Sequence, residues 1–189
     1  MNTPAHGIFN LLVLSRRGEA NGVVPVAVGA VLPDLPMVVF YAWERLRAVP
    51  EGTIWSIDYY HAGWQAVFDS FHSLPLLALG WFVARLRRNR WSAFLLASMM
   101  LHAVADLPLH REDAHRHFFP LSDWQFESAL SYWHPAYGGQ WYMLAELLLV
   151  LVGTPLLWRR FPEPAPRIAV VLLAGSYLGY LVFVALVWM

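Results

Sequence analysis

The sequence predicts an all-α fold: a polytopic integral membrane helical bundle of about five spans, preceded by a short N-terminal half-helix. Three observations lead there. Hydrophobic residues make up 58% of the 189 residues and charged ones 14%, a balance that suits a bilayer better than a water-facing core. The five longest apolar runs approach the length that a hydrocarbon core demands, and polar, aromatic-rich segments separate most of them. Ten Trp and eight Tyr suit belts at the two membrane interfaces. The chain reads as a single membrane domain, 1–189, without an internal repeat or a low-complexity tract.

Asn2 or Thr3 is placed to cap a first helix with Pro4 at its opening position. That helix, 4–15, carries His6 and ends at Arg16-Arg17-Gly18. It is too short to span a bilayer and long enough to enter halfway. Its apolar run lacks a basic leader and a small-residue cleavage site, so it does not read as a signal peptide. Residues 23–43 form the first span. Pro33-Asp34-Leu35-Pro36 in its middle predicts a broken helix, which a membrane tolerates only where the loosened backbone is buried or lines a cavity. Residues 44–69, with Trp55, Tyr59, Tyr60 and Trp64, read as an interfacial loop or surface helix.

A second span, 68–86, opens on Asp69-Ser70-Phe71-His72-Ser73. The third, 91–109, carries His102 and Asp106 one turn apart on the same face. An imidazole and a carboxylate in a lipid-facing helix are costly, so this face points inward. His110, Asp113 and His117 continue the spacing beyond Pro108, which interrupts the turn. Residues 110–140 are rich in His, Asp and aromatics and read as a lid or binding loop. The fourth span, 141–158, carries Glu146; a Pro-rich connector, 159–167, leads to the fifth, 168–188.

All thirteen basic residues are Arg. Nine fall at 16–17, 85–90 and 159–167, and four (Arg45, Arg47, Arg111, Arg116) in the two long segments. The positive-inside bias therefore predicts 44–69 and 110–140 as outward-facing loops. Zero formal net charge points away from nucleic acid as a partner. The absence of cysteine removes disulfides, thiolate metal sites and Cys nucleophiles, so any metal is held by His, Asp and Glu. No G-x-S-x-G elbow, H-E-x-x-H pair or Gly-rich phosphate loop competes.

Depth brings the polar residues together. Measured from the Arg-rich end of each helix at about 1.5 Å per residue, His6 lies roughly 15 Å in, Asp34 and His102 about 17 Å, His72 and Glu146 about 20 Å, and Asp106 and Asp69 about 23–24 Å. Singly, several have bland readings, whereas Asp34 between its prolines and His102 with Asp106 have little bland explanation, because a buried unpaired carboxylate is expensive. His6 can be a packing hydrogen-bonder, Asp69 and His72 a helix cap and its neighbour, Glu146 a partner for Arg or Tyr, and the 110–117 histidines a solvated loop. Jointly they predict an intramembrane metal site. Asp34, His72, His102 and Asp106 make a complete N2O2 set. Asp106 has a second oxygen for another ion that His6 can help hold, with His110 as a further ligand. Asp34, Asp69 and Glu146 are the carboxylates available for catalysis. The donor set suits one or two Zn2+ ions, with Mn2+ or Fe2+ next.

His6, Pro33-Asp34, His72-Ser73 and His102…Asp106 together resemble the bacterial membrane-bound metal-dependent hydrolases. The ligand order is also similar to that of zinc-dependent phospholipase C and its relatives. The resemblance covers roughly residues 3–110. It implies that Asp34, His72, His102 and Asp106 hold one zinc, with Asp106 bridging to a second held by His6, in a multi-pass protein of the bacterial inner membrane. Two features depart from those patterns: Leu35-Pro36 follows Pro-Asp where further acidic residues are common, and Tyr142…Glu146 stands where the phospholipases have His-x-x-x-Glu. The expected function is hydrolysis of a phosphoester or lipid head group at a site opening outward, with membrane lipids and a small-molecule or lipid substrate as partners. The alternative is a divalent-metal binder or transporter. Permeation needs polar residues leading to both faces, and the sequence places them toward the outer side only.

Overall fold

A computed structural model describes residues 1–187; the Trp188 end of the fifth expected span lies outside the described residues. Among these, every regular element is helical. In order they are α1 (Thr3–Leu14), α2 (Val23–Val31), α3 (Leu35–Leu46), α4 (Glu51–Ser56), α5 (Ala62–His72), α6 (Leu74–Leu86), α7 (Arg90–Asp106), α8 (Gly139–Arg160) and α9 (Pro164–Val187).

Three helical stretches are long and apolar enough to cross a membrane: Ala20–Leu46, Gly139–Arg160 and Pro164–Leu186. A fourth arises if α5 and α6, bent by 43° at Ser73, count as one. This is fewer than the five spans expected. The difference lies chiefly in α7. It stops at Asp106, two residues before Pro108, so its 17 residues rise only about 26 Å against a core of about 30 Å. The expected break at Pro33-Asp34 is milder than a break: a 3-10 turn, Leu32–Asp34, joins α2 to α3. Residues 44–69 are mostly helical, containing the end of α3, all of α4 and the start of α5.

α1 packs against α2, α7, α8 and α9. Its Ile8 and Leu11 are fully buried in a core with Val26, Val150, Leu157 and Phe161. Small residues permit the close approaches. A Cβ added at Gly29 of α2 would strike the Leu95 carbonyl of α7, and one at Gly153 of α8 would lie 2.6 Å from Ile8 Cγ2. A polar tie runs through the same layer. The Asn10 amide donates to the Ser98 carbonyl at 2.8 Å and hydroxyl at 2.9 Å, and the Ser98 hydroxyl donates to the Val26 carbonyl at 2.7 Å. At the end of α1, Arg160 donates to the carbonyls of Leu11, Leu12 and Ser15 at 3.3, 2.9 and 2.8 Å. The Leu11 carbonyl also accepts from the Ser15 amide at 3.2 Å, and the guanidinium completes the acceptors that a helix terminus leaves open.

A second, aromatic core joins α3, α4 and α5 through buried Phe40, Ile54, Tyr59 and Phe68. The segment from His110 to His134 lies against the ends of α5 and α7. The Leu74 amide donates to the His117 carbonyl at 2.8 Å and the Tyr132 amide to the Leu109 carbonyl at 2.9 Å. The Ser73 hydroxyl donates to the Phe119 carbonyl.

Candidate metal centre

Three structural devices bring the ligands together. The 3-10 turn presents Asp34 where α2 passes into α3. The bend at Ser73 ends α5 on His72; Ser73 then caps α6, its hydroxyl accepting from the Leu76 amide at 3.2 Å. The last turn of α7 holds His102 and Asp106 side by side.

The two histidines are prepared alike. His102 Nδ1 lies 2.8 Å from the Ala30 carbonyl, and His72 Nδ1 lies 2.9 Å from the Phe68 carbonyl. A carbonyl can only accept, so each Nδ1 carries a proton, which leaves Nε2 as the ring atom that can bind an ion. This is the arrangement that orients metal-binding histidines. Both Nε2 atoms are buried and lack a hydrogen-bond partner among the described residues. They converge on two carboxylates. His102 Nε2 is 3.4 Å from Asp34 Oδ1 and 3.0 Å from Asp106 Oδ2, and His72 Nε2 is 3.7 and 4.0 Å from the same atoms. Four ligands around zinc stand about 3.3–3.6 Å apart at the corners of a tetrahedron. All four donor atoms here lie within 4.8 Å of one another. Asp34, His72, His102 and Asp106 can therefore hold a metal ion.

The other expected residues are placed around this group. Asp106 Oδ1 points away from it and meets His6 Nε2 at 2.8 Å, His110 Nε2 at 3.5 Å and the Met1 nitrogen at 2.6 Å. His6 stacks on His102 with ring centres 3.6 Å apart. His110 Nδ1 lies 2.9 Å from Asp113. Burial alone would lower the His110 pKa; the Asp106 and Asp113 carboxylates outweigh it and lift it to about 9.

Asp69 is not brought into the group. Its carboxylate accepts from the Arg116 amide at 2.9 Å and from the Arg116 Nε at 2.5 Å. Glu146 is also outside it, accepting from the Asn2 amide at 2.7 Å and the Asn2 side chain at 2.5 Å. Asn2 does stand at the N-cap of α1, but its side chain is directed to Glu146 rather than to the helix.

Two contributors carried little sequence signal. The Thr3 hydroxyl donates to Asp34 Oδ2 at 2.5 Å; its position one turn before His6 was the available clue. His115 stacks on His72 with centres 4.0 Å apart, and it is buried, as are His110 and His117. The 110–117 histidines therefore close over the centre rather than standing in solvent.

Two cavities flank the bundle. One, about 260 Å³, is lined by Thr3, Asp34, Met37, Tyr41 and His110 among others and opens on the centre. The other, about 370 Å³, lies at the α8–α9 turn beside Trp158 and Arg167; Arg167 is its only charged lining residue. A comparison with protein-family models, characterised proteins and solved structures finds no match to this chain.

Proposed function

We propose that the protein is a metal-dependent membrane hydrolase acting on a phosphoester or lipid head group, with Zn2+ as the ion. The observation that carries this reading is the pair of buried, unpartnered Nε2 atoms on His72 and His102, each with its Nδ1 fixed, facing Asp34 and Asp106. A bound zinc would supply Lewis acidity and a water whose pKa falls to about 7. The likeness of His6, Asp34, His72, His102 and Asp106 to the ligand order of membrane-bound metal-dependent hydrolases supports the same assignment. A second ion would be held by Asp106 Oδ1 with His6 and His110, and it would have to displace the Met1 ammonium 2.6 Å from that oxygen as well as the proton on His110.

The chain's own residues divide the work. Thr3 holds Asp34 Oδ2, which leaves Oδ1 turned to the histidines. Asp34 also lines the cavity and so meets the substrate. Asp69 acts at one remove: through Arg116 it holds the segment that places His115 on His72. Glu146 positions Asn2 and thereby the start of α1.

In the bilayer we place α7 as a crossing, which makes five in all. The turns bearing Arg16, Arg87 and Arg159 then face the cytoplasm, and the centre opens to the outer side of a bacterial inner membrane. The rival, a divalent-metal transporter, is disfavoured by the packing between the centre and the Arg160 end of α1. Ile8, Leu11, Val26, Val150 and Leu157 fill that region with apolar side chains.

The test uses detergent-purified protein for metal analysis. The same protein in nanodiscs is then given a mixed phospholipid and phosphoester panel, with and without chelator, and products are followed by mass spectrometry. Bound zinc and chelator-sensitive product that Asp34→Asn abolishes are expected. Metal-free protein prepared without chelator would overturn the reading. So would zinc entry into dye-loaded liposomes, blocked by Asp34→Asn, with nothing cleaved in the panel.

A further inference from the structure

Of the four grouped residues, only Asp34 is accessible to any extent. Its side chain is 14% exposed, against 2% or less for His72, His102 and Asp106. That surface opens on the cavity of about 260 Å³, near the lower end of the roughly 300–1,000 Å³ usual for small-molecule sites. One wall is a single face of α3, because Asp34, Met37, Val38 and Tyr41 recur at helical spacing. The facing wall is α9, through Tyr180 and Phe183. At the rim, Tyr41 and Trp55 donate to Glu51 at 3.0 and 2.8 Å. Between that rim and Asp34 the α3 wall is apolar.

The slot is open along its side. Val38 lines it and is 57% exposed, and Leu35 and Val39 on α3 and Leu178 and Val182 on α9 are also exposed. Both helices belong to stretches apolar enough to cross a membrane. The surface bordering the opening is therefore surface that a bilayer would cover. A water-soluble compound can reach Asp34 only by way of the Glu51 rim, whereas an acyl chain already lies against the apolar side opening.

We propose that the slot binds one acyl chain of a membrane phospholipid, admitted sideways between α3 and α9, so that the polar head of that lipid meets Asp34. The chain crosses Met37, Val38 and Phe183, and Met37 sets the width of the passage. The proposal deepens the hydrolase reading, which it needs for turnover but not for binding.

The full-length protein is placed in nanodiscs containing a phospholipid with a photoreactive diazirine on one acyl chain. After irradiation, labelled residues are located by mass spectrometry. Label is expected to be several-fold richer on Met37, Val38 and Phe183 than on Leu148 and Leu151, which are exposed on α8. Met37→Trp, which fills the slot, should lower the slot label by about tenfold, the scale set by blocking a hydrophobic pocket. Leu151→Trp should leave the slot label unchanged. If Met37→Trp does not fold, Met37→Ala replaces it and should raise labelling by a branched-chain analogue. Equal labelling of the slot and α8 overturns the proposal whatever the activity. Slot labelling without turnover of any substrate upholds the slot and removes the hydrolase reading; turnover without slot labelling does the reverse.

Discussion

Asp69 on α5 and Asp106 on α7 are both fully buried carboxylates beside imidazoles, yet they are completed in opposite ways. Asp69 receives the backbone and side chain of Arg116, whose charge is permanent. Asp106 and its neighbour Asp34 have no guanidinium; they face the rings of His6, His72, His102 and His110, with the Met1 nitrogen on one oxygen. A buried carboxylate is expensive without a positive partner. Asp69 has one built into the fold and acts as structure. In the Asp34–Asp106 pair the Met1 ammonium reaches Asp106 Oδ1 alone, and a cation between Asp34 Oδ1 and Asp106 Oδ2 would balance the second carboxylate.

The largest effect that would break this contrast is loss of the ion. His102→Ala should lose most of the bound metal. Chelation should destabilise the wild type by up to about 4 kcal/mol at a thousandfold excess of free ion over its dissociation constant, and leave His102→Ala almost unmoved. Metal content by mass spectrometry and thermal unfolding with and without chelator would show it; equal chelator shifts in the two proteins would count against the centre. A smaller effect is expected at the structural carboxylate. Asp69→Asn should keep its metal but lose about 2 kcal/mol of stability, because it unpairs a buried ion pair whose Arg116 is partly exposed. Amide exchange should quicken in residues 110–117 first; metal loss in this variant would erase the distinction between the two carboxylates. The smallest sharpens the boundary of the site. Glu146→Gln keeps an acceptor for Asn2 and should cost about 1 kcal/mol with metal retained, read by the same melting curves. A fall in metal content as large as that of His102→Ala would move Glu146 into the centre.

The reach of the sequence is clearest in the ligands themselves. His102 and Asp106 are one turn apart on one helix, so their common direction follows from spacing alone. Asp34, between two prolines, and His72, before Ser73, mark points where the helix tightens or bends, and both points are used to aim a ligand. Depth was a weaker guide. The rise per residue places Asp69 and Glu146 at the same level as the ligands, but direction around the helix axis depends on packing. Asp69 turns to Arg116, 47 positions away, and Glu146 to Asn2, 144 positions away. No local pattern carries such pairings. His115 was hidden for the same reason: only the fold of the 110–134 segment brings it onto His72. Among the spans, 141–158 and the described part of 168–188 are readable because long apolar runs need no partner to be recognised. α7 ends earlier than the expected 91–109 because Pro108 stops the helix at Asp106 although the apolar residues continue to Leu109.

α1 is fastened at both ends. Arg160 grips its last carbonyls, while Asn2 and Thr3 at its start are tied to Glu146 and Asp34. Between these anchors it is a strut of set length and pitch, and His6 is read off it at one height and one compass bearing. Inserting a single residue between His6 and Leu11 would turn His6 by about 100° and shift it by about 1.5 Å. The ring would swing away from Asp106 with every side chain of the centre still present. The number of residues in this helix is therefore as much a part of the centre as the identity of its ligands.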